Sequence, residues 1–181
     1  VTGLEDLRAV AEQTLECLTN DMQAPGGGFY AARDADSEGE EGIFYVWTLQ
    51  ELESALGSDE ARLFARVYDV SDGGNFEGRN ILHLPHELSS ISRAEGITQA
   101  QLEETLECQR RILLDKRARR EPPFRDEKIL VSWNSMAIRT FAEAGPTLNR
   151  WGFVDTASKA ALWIWAELRP GGQLLRVLTD G

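Results

Sequence analysis

The segment from residue 33 to residue 41 concentrates acidic side chains that could do chemistry. Its carboxylates are Asp34, Asp36, Glu38, Glu40 and Glu41. The order Asp34, Asp36, Glu38, Gly39 has the spacing of a calcium-binding loop, in which alternating oxygen ligands precede a glycine at a sharp turn. The twelfth position, where such loops carry a bidentate glutamate, is Tyr45 here. We therefore expect no metal site, and a solvated acidic turn is the alternative that the composition favours.

Carboxylates beside aromatic rings are also the residue types of a sugar site. Glycoside hydrolysis uses two carboxyl groups that flank the bond, about 5 Å or 6.5–9.5 Å apart depending on the stereochemical outcome. Two segments offer such groups, with the following candidates: Asp34, Asp36, Glu41, Tyr45 and Trp47 in the first, and Asp126, Lys128, Trp133 and Asn134 in the second. Core packing is the alternative for Trp47 and Trp133. We assign Trp163 and Trp165 to the core or to a neighbouring repeat.

The chain contains two histidines, His83 and His86, on either side of Pro85. A sugar epimerase needs a base that removes a proton next to a carbonyl or hemiacetal carbon, and histidine is the usual choice. Two histidines three apart on a non-helical stretch do not form an obvious metal pair. The alternative is a structural His83, with His86 on the surface.

Apolar residues at spacings of three and four predict six helices that must position these loops. The first runs from Leu4 to about Asn20. The second runs from Leu49 to Leu56, with Thr48 and Glu51 as a capping box at its start and Gly57 at its end. The other four are predicted from Ser58 through Tyr68, from Thr98 through Leu113, from Ser132 or Asn134 to Pro146, and from Phe153 to Leu168.

Turn-rich segments recur along the chain and begin at Gly26, Asp72, Pro122 and Gly171, at intervals of 46, 50 and 49 residues. A recurrence of this length indicates a repeated supersecondary unit, and two helices with two connections fit it. Helical hairpins that bury one face against their neighbours form a solenoid or a closed toroid. Three aromatic or β-branched runs predict short strands or extended loop arms: Ile43–Trp47, Ile81–Leu84 and Ile129–Val131. The predicted fold is all-α, a segment of an α/α toroid with short β-hairpins on one rim.

The formal net charge of −11 argues against a nucleic-acid or anionic-membrane surface, because phosphate groups require clustered Lys and Arg. No apolar run approaches the roughly 20 residues of a membrane helix. Cys17 and Cys108 form no C-x-x-C pair, so we expect buried free thiols in a reducing cytoplasm. The chain begins at Val1 rather than Met, and we expect it to be a fragment of a longer protein.

Four segments carry a family resemblance: GGFYAARDADSEGEEGIFYVWT, GNFEGRNILH, RDEKILVSWNSMAIRTFAEAG and GGQLLR. In this order they resemble the thioredoxin-domain-containing proteins related to spermatogenesis-associated protein 20. The resemblance implies an N-terminal thioredoxin-like domain followed by an (α/α)6 toroid similar to six-hairpin glycosidases and N-acylglucosamine 2-epimerases. Residues 1–181 would then form a single segment of the toroid, without the thioredoxin-like domain.

The motif positions that the resemblance carries over are Asp34, Asp36, Glu38, Glu40, Glu41, Asn75, Asn80, His83, Lys128, Trp133 and Asn134. The sequence departs from the family pattern at Arg33, where a small or acidic residue is usual, and at Ser135, where glycine is usual. A side chain at Ser135 would restrict a turn there. Either change could narrow or disable a pocket.

Two functions remain open at the level of sequence. The first is a carbohydrate-active domain with Asp36 or Glu41 in acid–base work, Asp126 as second carboxyl and Trp133 as stacking platform. Asp34, Tyr45, Trp47, His83, Lys128 and Asn134 would contact the sugar. The second is a non-catalytic binding or scaffold domain that accompanies a thioredoxin-like domain, with the short carboxylates accepting backbone N–H bonds. We expect no cofactor, and we expect exposed helix faces that could support an oligomer.

Overall fold

The computed structural model describes residues 5–179, with side chains from Leu7 onward, and about 58% of it is helical. Leu4, which the sequence pattern places in the first helix, lies outside the described residues. The seven helices of the described part are α1 (Glu5–Cys17), α2 (Leu49–Leu56), α3 (Ser58–Tyr68), α4 (Leu88–Glu95), α5 (Gln99–Arg117), α6 (Val131–Leu148) and α7 (Trp151–Glu167). A π-helical turn, Leu18–Met22, follows α1, and a 3-10 turn, Pro170–Gly172, follows α7. The expectation of a mainly helical chain is confirmed.

The strands are short and occur in antiparallel pairs. They are β1 (Ala32–Arg33), β2 (Asp36–Ser37), β3 (Glu40–Glu41), β4 (Arg125–Asp126), β5 (Ile129–Leu130) and β6 (Val177–Leu178). The pairs are β1 with β4, β2 with β3 and β5 with β6. The chain divides into two compact units, one built from residues before 35 and after 124, and one from residues 35–124. Each unit is described by itself.

The unit of residues 35–124 contains α2 to α5. Thr48 and Glu51 form the predicted capping box of α2, and Thr98 and Gln101 form a second one at the start of α5. These boxes satisfy backbone N–H groups that have no partner inside the helix. The core of this unit is apolar and comprises Trp47, Leu52, Ala61, Phe64, Val67, Tyr68, Ile91, Leu102, Leu106 and Leu113.

The other unit is centred on the hairpin of α6 and α7, which α1 joins. Asn149 adopts the left-handed conformation that ends α6, and α7 begins two residues later. Phe141 stacks on Phe29 and meets Phe153 edge to face, so the aromatic rings fill the centre of the unit. Gly26 lies against the Trp163 indole, since a Cβ atom there would come within 2.0 Å of its Nε1 atom.

Several expectations about the elements were wrong. Helix α4 was not predicted, and α6 continues through Pro146 to Leu148. The run Ile43–Trp47 forms turns with a single bridge between Trp47 and Asn80, and Ile81–Leu84 forms no strand. Only the third run contributes a strand, β5, which pairs with β6.

Surface exposure corrects the expectation of buried thiols and distinguishes the two tryptophans of α7. Cys17 and Cys108 are both exposed rather than buried. Trp165 is 63% exposed, whereas Trp163 is partly buried and packs on the core of its unit. Within residues 5–179, none of the helices has both the length and the apolar character needed to cross a membrane.

Candidate functional site

The acidic segment forms the β-hairpin β2–β3. Its two turn residues, Glu38 and Gly39, both have positive φ (53° and 83°), as a tight type I′ turn requires. The register places Asp36 directly opposite Glu41 and Ser37 opposite Glu40. Residues that face each other in an antiparallel pair project to the same side of the hairpin. The two candidate catalytic carboxylates, both on exposed residues, are therefore neighbours.

Ser37 anchors this hairpin from its other face. Its side chain is buried, and its hydroxyl donates to the carbonyl of Glu121 at 2.5 Å. The amide of Gly42 donates to the carbonyl of Ala35 at 2.9 Å and closes the base of the hairpin. The side of the hairpin that carries Ser37 is therefore attached to the rest of the unit of residues 35–124. The side that carries Asp36 is exposed to solvent.

Arg120 organises the loop that follows the hairpin. Its guanidinium lies over the Trp47 ring, 4.1 Å from the ring centroid, and donates to Glu51 Oε1 at 3.2 Å. It also donates to three loop carbonyls, those of Ile43 (3.1 Å), Phe44 (3.0 Å) and Val46 (2.8 Å). Burial lowers the pKa of Arg120, and the charge of Glu51 opposes this effect. Trp47 is 3% exposed, so core packing is confirmed for it and its ring offers no sugar-stacking face.

Asn80 is fully buried and bonds two backbone segments together. Its Oδ1 accepts from the amide of Ser71 at 3.0 Å, and its Nδ2 donates to the carbonyls of Trp47 (3.1 Å) and Ser71 (3.0 Å). Asn75 forms a similar pair with the amide and carbonyl of Ile81. We call this arrangement, an asparagine side chain that both donates to and accepts from backbone groups, an amide clamp.

Asn134 forms the amide clamp of the other unit. It is 1% exposed, accepts from the Phe29 amide at 2.6 Å and donates to the Phe29 carbonyl at 2.9 Å. It also donates to the carbonyl of Leu130 at 3.0 Å. These bonds attach the loop after the glycine turn to the first turn of α6.

Asp126 and Lys128 form an ion pair at the end of β4. Asp126 Oδ1 accepts from the backbone amide of Lys128 at 3.2 Å, and Oδ2 lies 3.0 Å from Lys128 Nζ. The hydrogen bond from the Lys128 side chain, followed by that from its amide, lowers the pKa of Asp126 below 3.8. The Asp126 carboxyl therefore stays ionised at neutral pH, which suits a base, a nucleophile or a charge partner better than a proton donor.

The remaining candidates lie at the surface. Trp133 is 51% exposed on α6, so core packing is wrong for this ring, and Tyr45 is 43% exposed. His83 is exposed, with its Nε2 atom 3.5 Å from Asp69 Oδ2 and its Nδ1 atom 3.3 Å from the Ile81 carbonyl oxygen, so a structural role for His83 stays a prediction. His86 is exposed, as expected.

The two units divide the sequence-predicted residues between them. Asp36, Glu41, Tyr45, Trp47 and His83 belong to the unit of residues 35–124, and Asp34, Asp126, Lys128, Trp133 and Asn134 belong to the other. Within the second unit, β1 pairs with β4 and places Ala32 opposite Asp126. Across the described residues, three or more His, Cys, Asp or Glu side chains do not converge in a way that could hold a metal ion.

Arg33 and Ser135, the two positions at which the sequence departs from the family pattern, lie in different environments. Arg33 Nη2 lies 4.0 Å from Asp21 Oδ2, while its Nε is buried without a hydrogen-bond partner. Ser135 lies inside α6, and its hydroxyl donates to the Val131 carbonyl at 2.8 Å. The expected restriction of a turn at Ser135 is therefore wrong, because a helical position accepts any ordinary side chain.

The sequence analysis did not select Arg120. A basic residue just past a helix end can complement the negative end of the helix dipole, and a guanidinium can also bind carbonyls and stack on rings. The loop that Arg120 contacts lies 74 to 77 positions earlier in the chain, so the local sequence could not show this second role.

Comparison with known proteins gives relatives but no family model that matches. The chain is 26% identical to human spermatogenesis-associated protein 20 and 28% identical to the rat protein of that name, over 100% and 91% of this chain. An uncharacterized protein of Caenorhabditis elegans is 30% identical over 83% of the chain. The chain is a distant homologue of spermatogenesis-associated protein 20. It spans about a quarter of the length of these relatives, 24–26%.

Proposed function

We propose that the chain is a non-catalytic scaffold segment of a protein like spermatogenesis-associated protein 20, part of an (α/α)6 toroid that accompanies a thioredoxin-like domain. The observation that carries this proposal is the use made of the polar motif residues. Asn80 and Asn134 each form three hydrogen bonds to backbone groups and are buried. An asparagine amide has two N–H donors, and both are spent here, so neither clamp has a donor left for a ligand.

The hairpins α2–α3 and α6–α7 support the toroid part of the proposal, because such units stack side by side in helical-repeat folds. The exposed thiols Cys17 and Cys108 support a reducing compartment, the cytoplasm, as the site of action. The net charge of −11 supports protein or sugar partners over nucleic acid.

A thermal-shift screen against glucose, mannose, N-acetylglucosamine, maltose and cellobiose tests the scaffold function. We expect no sugar to raise the Tm of the chain, while Asn80→Ala and Asn134→Ala each lower it. A sugar that raises the Tm, with the rise abolished by Asp36→Asn and kept in Glu40→Gln, would overturn the scaffold proposal. Glu40 is the matched control because it lies on the same hairpin but opposite Ser37 rather than Asp36.

The pairing of Asp36 with Glu41 favours a second candidate, glycoside hydrolysis with retention of configuration. Directly opposed residues of an antiparallel pair have Cβ atoms about 4.5–5.5 Å apart. Retaining glycosidases hold their two carboxyl groups about 5–5.5 Å apart. In this alternative one carboxyl acts as acid–base, the other forms the glycosyl–enzyme bond, and Tyr45 packs on the sugar. Epimerisation, with His83 as the base, is the related alternative, and Asp69 would orient its ring.

Hydrolysis of p-nitrophenyl α- and β-glycosides tests this candidate. If the chain is a hydrolase, Asp36→Asn and Glu41→Gln each abolish release of p-nitrophenol, and Glu40→Gln does not. Equal rates for all four proteins, or no release at all across the sugar panel, would reject the hydrolase and leave the scaffold.

A further inference from the structure

We propose that a groove in the unit of residues 35–124 binds a primary amine with an apolar body. The groove lies between the end of α2, the start of α3 and one face of α5, and has a volume of about 540 Å³. Its wall includes Leu56, Glu60, Glu104, Cys108, Gln109 and Ile112. Small-molecule sites usually measure about 300–1,000 Å³. The groove contains neither the clamp asparagines nor the hairpin carboxylates of the proposed function, so the two proposals are tested separately.

Gln109 supplies the first argument for a ligand. The residue is 3% exposed, and its Nε2 donates to the carbonyl of Glu60 at 3.2 Å and to Glu60 Oε2 at 2.6 Å. Both partners are acceptors, so the orientation of the amide is fixed by its own bonds. Its Oε1 is then a buried acceptor without a hydrogen-bond partner among the described residues. A buried acceptor without a partner destabilises the fold, and a ligand that donates an N–H to it removes that effect.

The charge of the wall supplies the second argument. Glu60 and Glu104 bring two carboxylates to the groove, and its lining contains no Lys or Arg. An ammonium group matches this set, because it donates several hydrogen bonds and carries the opposite charge. An anion would face two carboxylates and an amide oxygen, all of which repel it.

The apolar part of the wall defines the rest of the ligand. Leu56 and Ile112 line the groove, and Ile112 is 42% exposed. An alkyl or aromatic body that covers them would remove apolar surface from water, at about 25 cal/mol for each Å² buried. Since Gln109 Oε1 is buried, binding includes a shift of the wall that lets the amine reach it.

The exposed thiol of Cys108 reports occupancy of the groove. In the full chain with Cys17→Ser, Cys108 is the single thiol, and its alkylation by iodoacetamide can be timed. At ten times its Kd, n-octylammonium should slow the reaction about tenfold, as simple mass action requires. Octanoate, with the same body and the opposite charge, should not slow it. Cys108 is already exposed in the folded chain, so loss of structure would not slow the reaction, and slowing reports binding.

Three comparisons decide the outcome. Octyltrimethylammonium has no N–H donor and should protect less than octylammonium; equal protection would overturn the role of Gln109. Glu104→Gln should weaken protection about two- to fivefold, the effect of one exposed charge pair. Glu103→Gln is the matched control, since Glu103 is exposed on the same helix but outside the groove. Protection by octanoate, or equal protection in the two variants, would overturn the proposal.

Discussion

Asn134 lies almost fully buried and bonds the first turn of α6 to both backbone groups of Phe29. Asn134→Ala leaves the Phe29 amide and carbonyl buried without partners, so we expect the free energy of unfolding to fall by about 2–4 kcal/mol. Urea unfolding followed by circular dichroism measures this loss. Ser135→Ala is the matched control, since the Ser135 hydroxyl is exposed and bonds only within the helix, and it should change stability by less than about 0.5 kcal/mol. Equal effects of the two substitutions would contradict the clamp.

The polar motif residues could be found from the sequence, but their role could not. Asn80 follows the turn at Gly78 and Asn134 follows Trp133, and such neighbourhoods are typical of both ligand sites and buried turn networks. The difference depends on whether backbone N–H and C=O groups from distant segments, such as Ser71 and Phe29, arrive at the amide. The sequence around each asparagine does not show whether these distant backbone groups reach its side chain.

The ionisation of the Asp126 carboxyl should depend on its hydrogen bonds from Lys128. Its folded-state pKa is lowered, so the pair contributes stability above the unfolded value of 3.8, and that contribution is lost as the pH falls through the lower folded pKa. Lys128→Met removes the side-chain donor and should raise the pKa of Asp126 toward 3.8, whereas Lys128→Arg should keep it low. Carboxyl carbon shifts recorded by NMR against pH measure both. An unchanged pKa in Lys128→Met would show that the amide bond alone sets it.

Arg120 connects the chain beyond α5 to the loop of residues 43–47. Lysine at this position keeps the charge but loses the planar fork that serves three carbonyls and stacks on Trp47. We therefore expect Arg120→Lys to lower the free energy of unfolding by about 1–3 kcal/mol. Amide exchange of residues 43–47 should also rise. Arg119→Lys is the control because Arg119 is exposed; a similar loss there would contradict the role of Arg120.

Among the elements, those with local signals were predicted and those set by tertiary contacts were not. The capping box of Thr48 and Glu51 fixed the start of α2 because all its bonds lie within four residues. The run Ile43–Trp47 has strand composition, yet its carbonyls bond to Arg120 rather than to a neighbouring strand. Pro146 lies in the last turn of α6 and removes one backbone hydrogen bond there, yet the helix continues to Leu148, which is buried.

Helix α4 was missed because its own signals are weak. It has eight residues, and no side chain caps its N-terminus at Glu87. Its stability comes from Ile91, which packs into the core of the unit. A short helix of this kind is marginal by itself and forms where packing holds it.

At the scale of the whole molecule, the outer faces of the helices carry large apolar side chains in contact with solvent. In the described part they include Leu7, Val10, Trp133, Met136, Trp151, Leu162 and Trp165, each more than half exposed. Single exposed apolar residues are ordinary, but several large ones on the same helices indicate surface that another molecule or further repeats would cover. The sequence analysis expected exposed helix faces because a segment of a toroid lacks the further repeats that would pack on them.

We expect these faces to drive self-association of the chain. On α7, Leu162 is 71% exposed and Trp165 is 63% exposed. The double substitution Leu162→Glu and Trp165→Glu adds two negative charges to that face without touching the core, so it should reduce association while leaving the Tm nearly unchanged. Sedimentation velocity over a range of concentrations measures the effect. Asp155→Glu on the same helix is the control, because it changes neither charge nor apolar surface. A wild-type chain that sediments as a clean monomer at all concentrations would contradict the expectation, and so would a double variant that associates as strongly as the wild type.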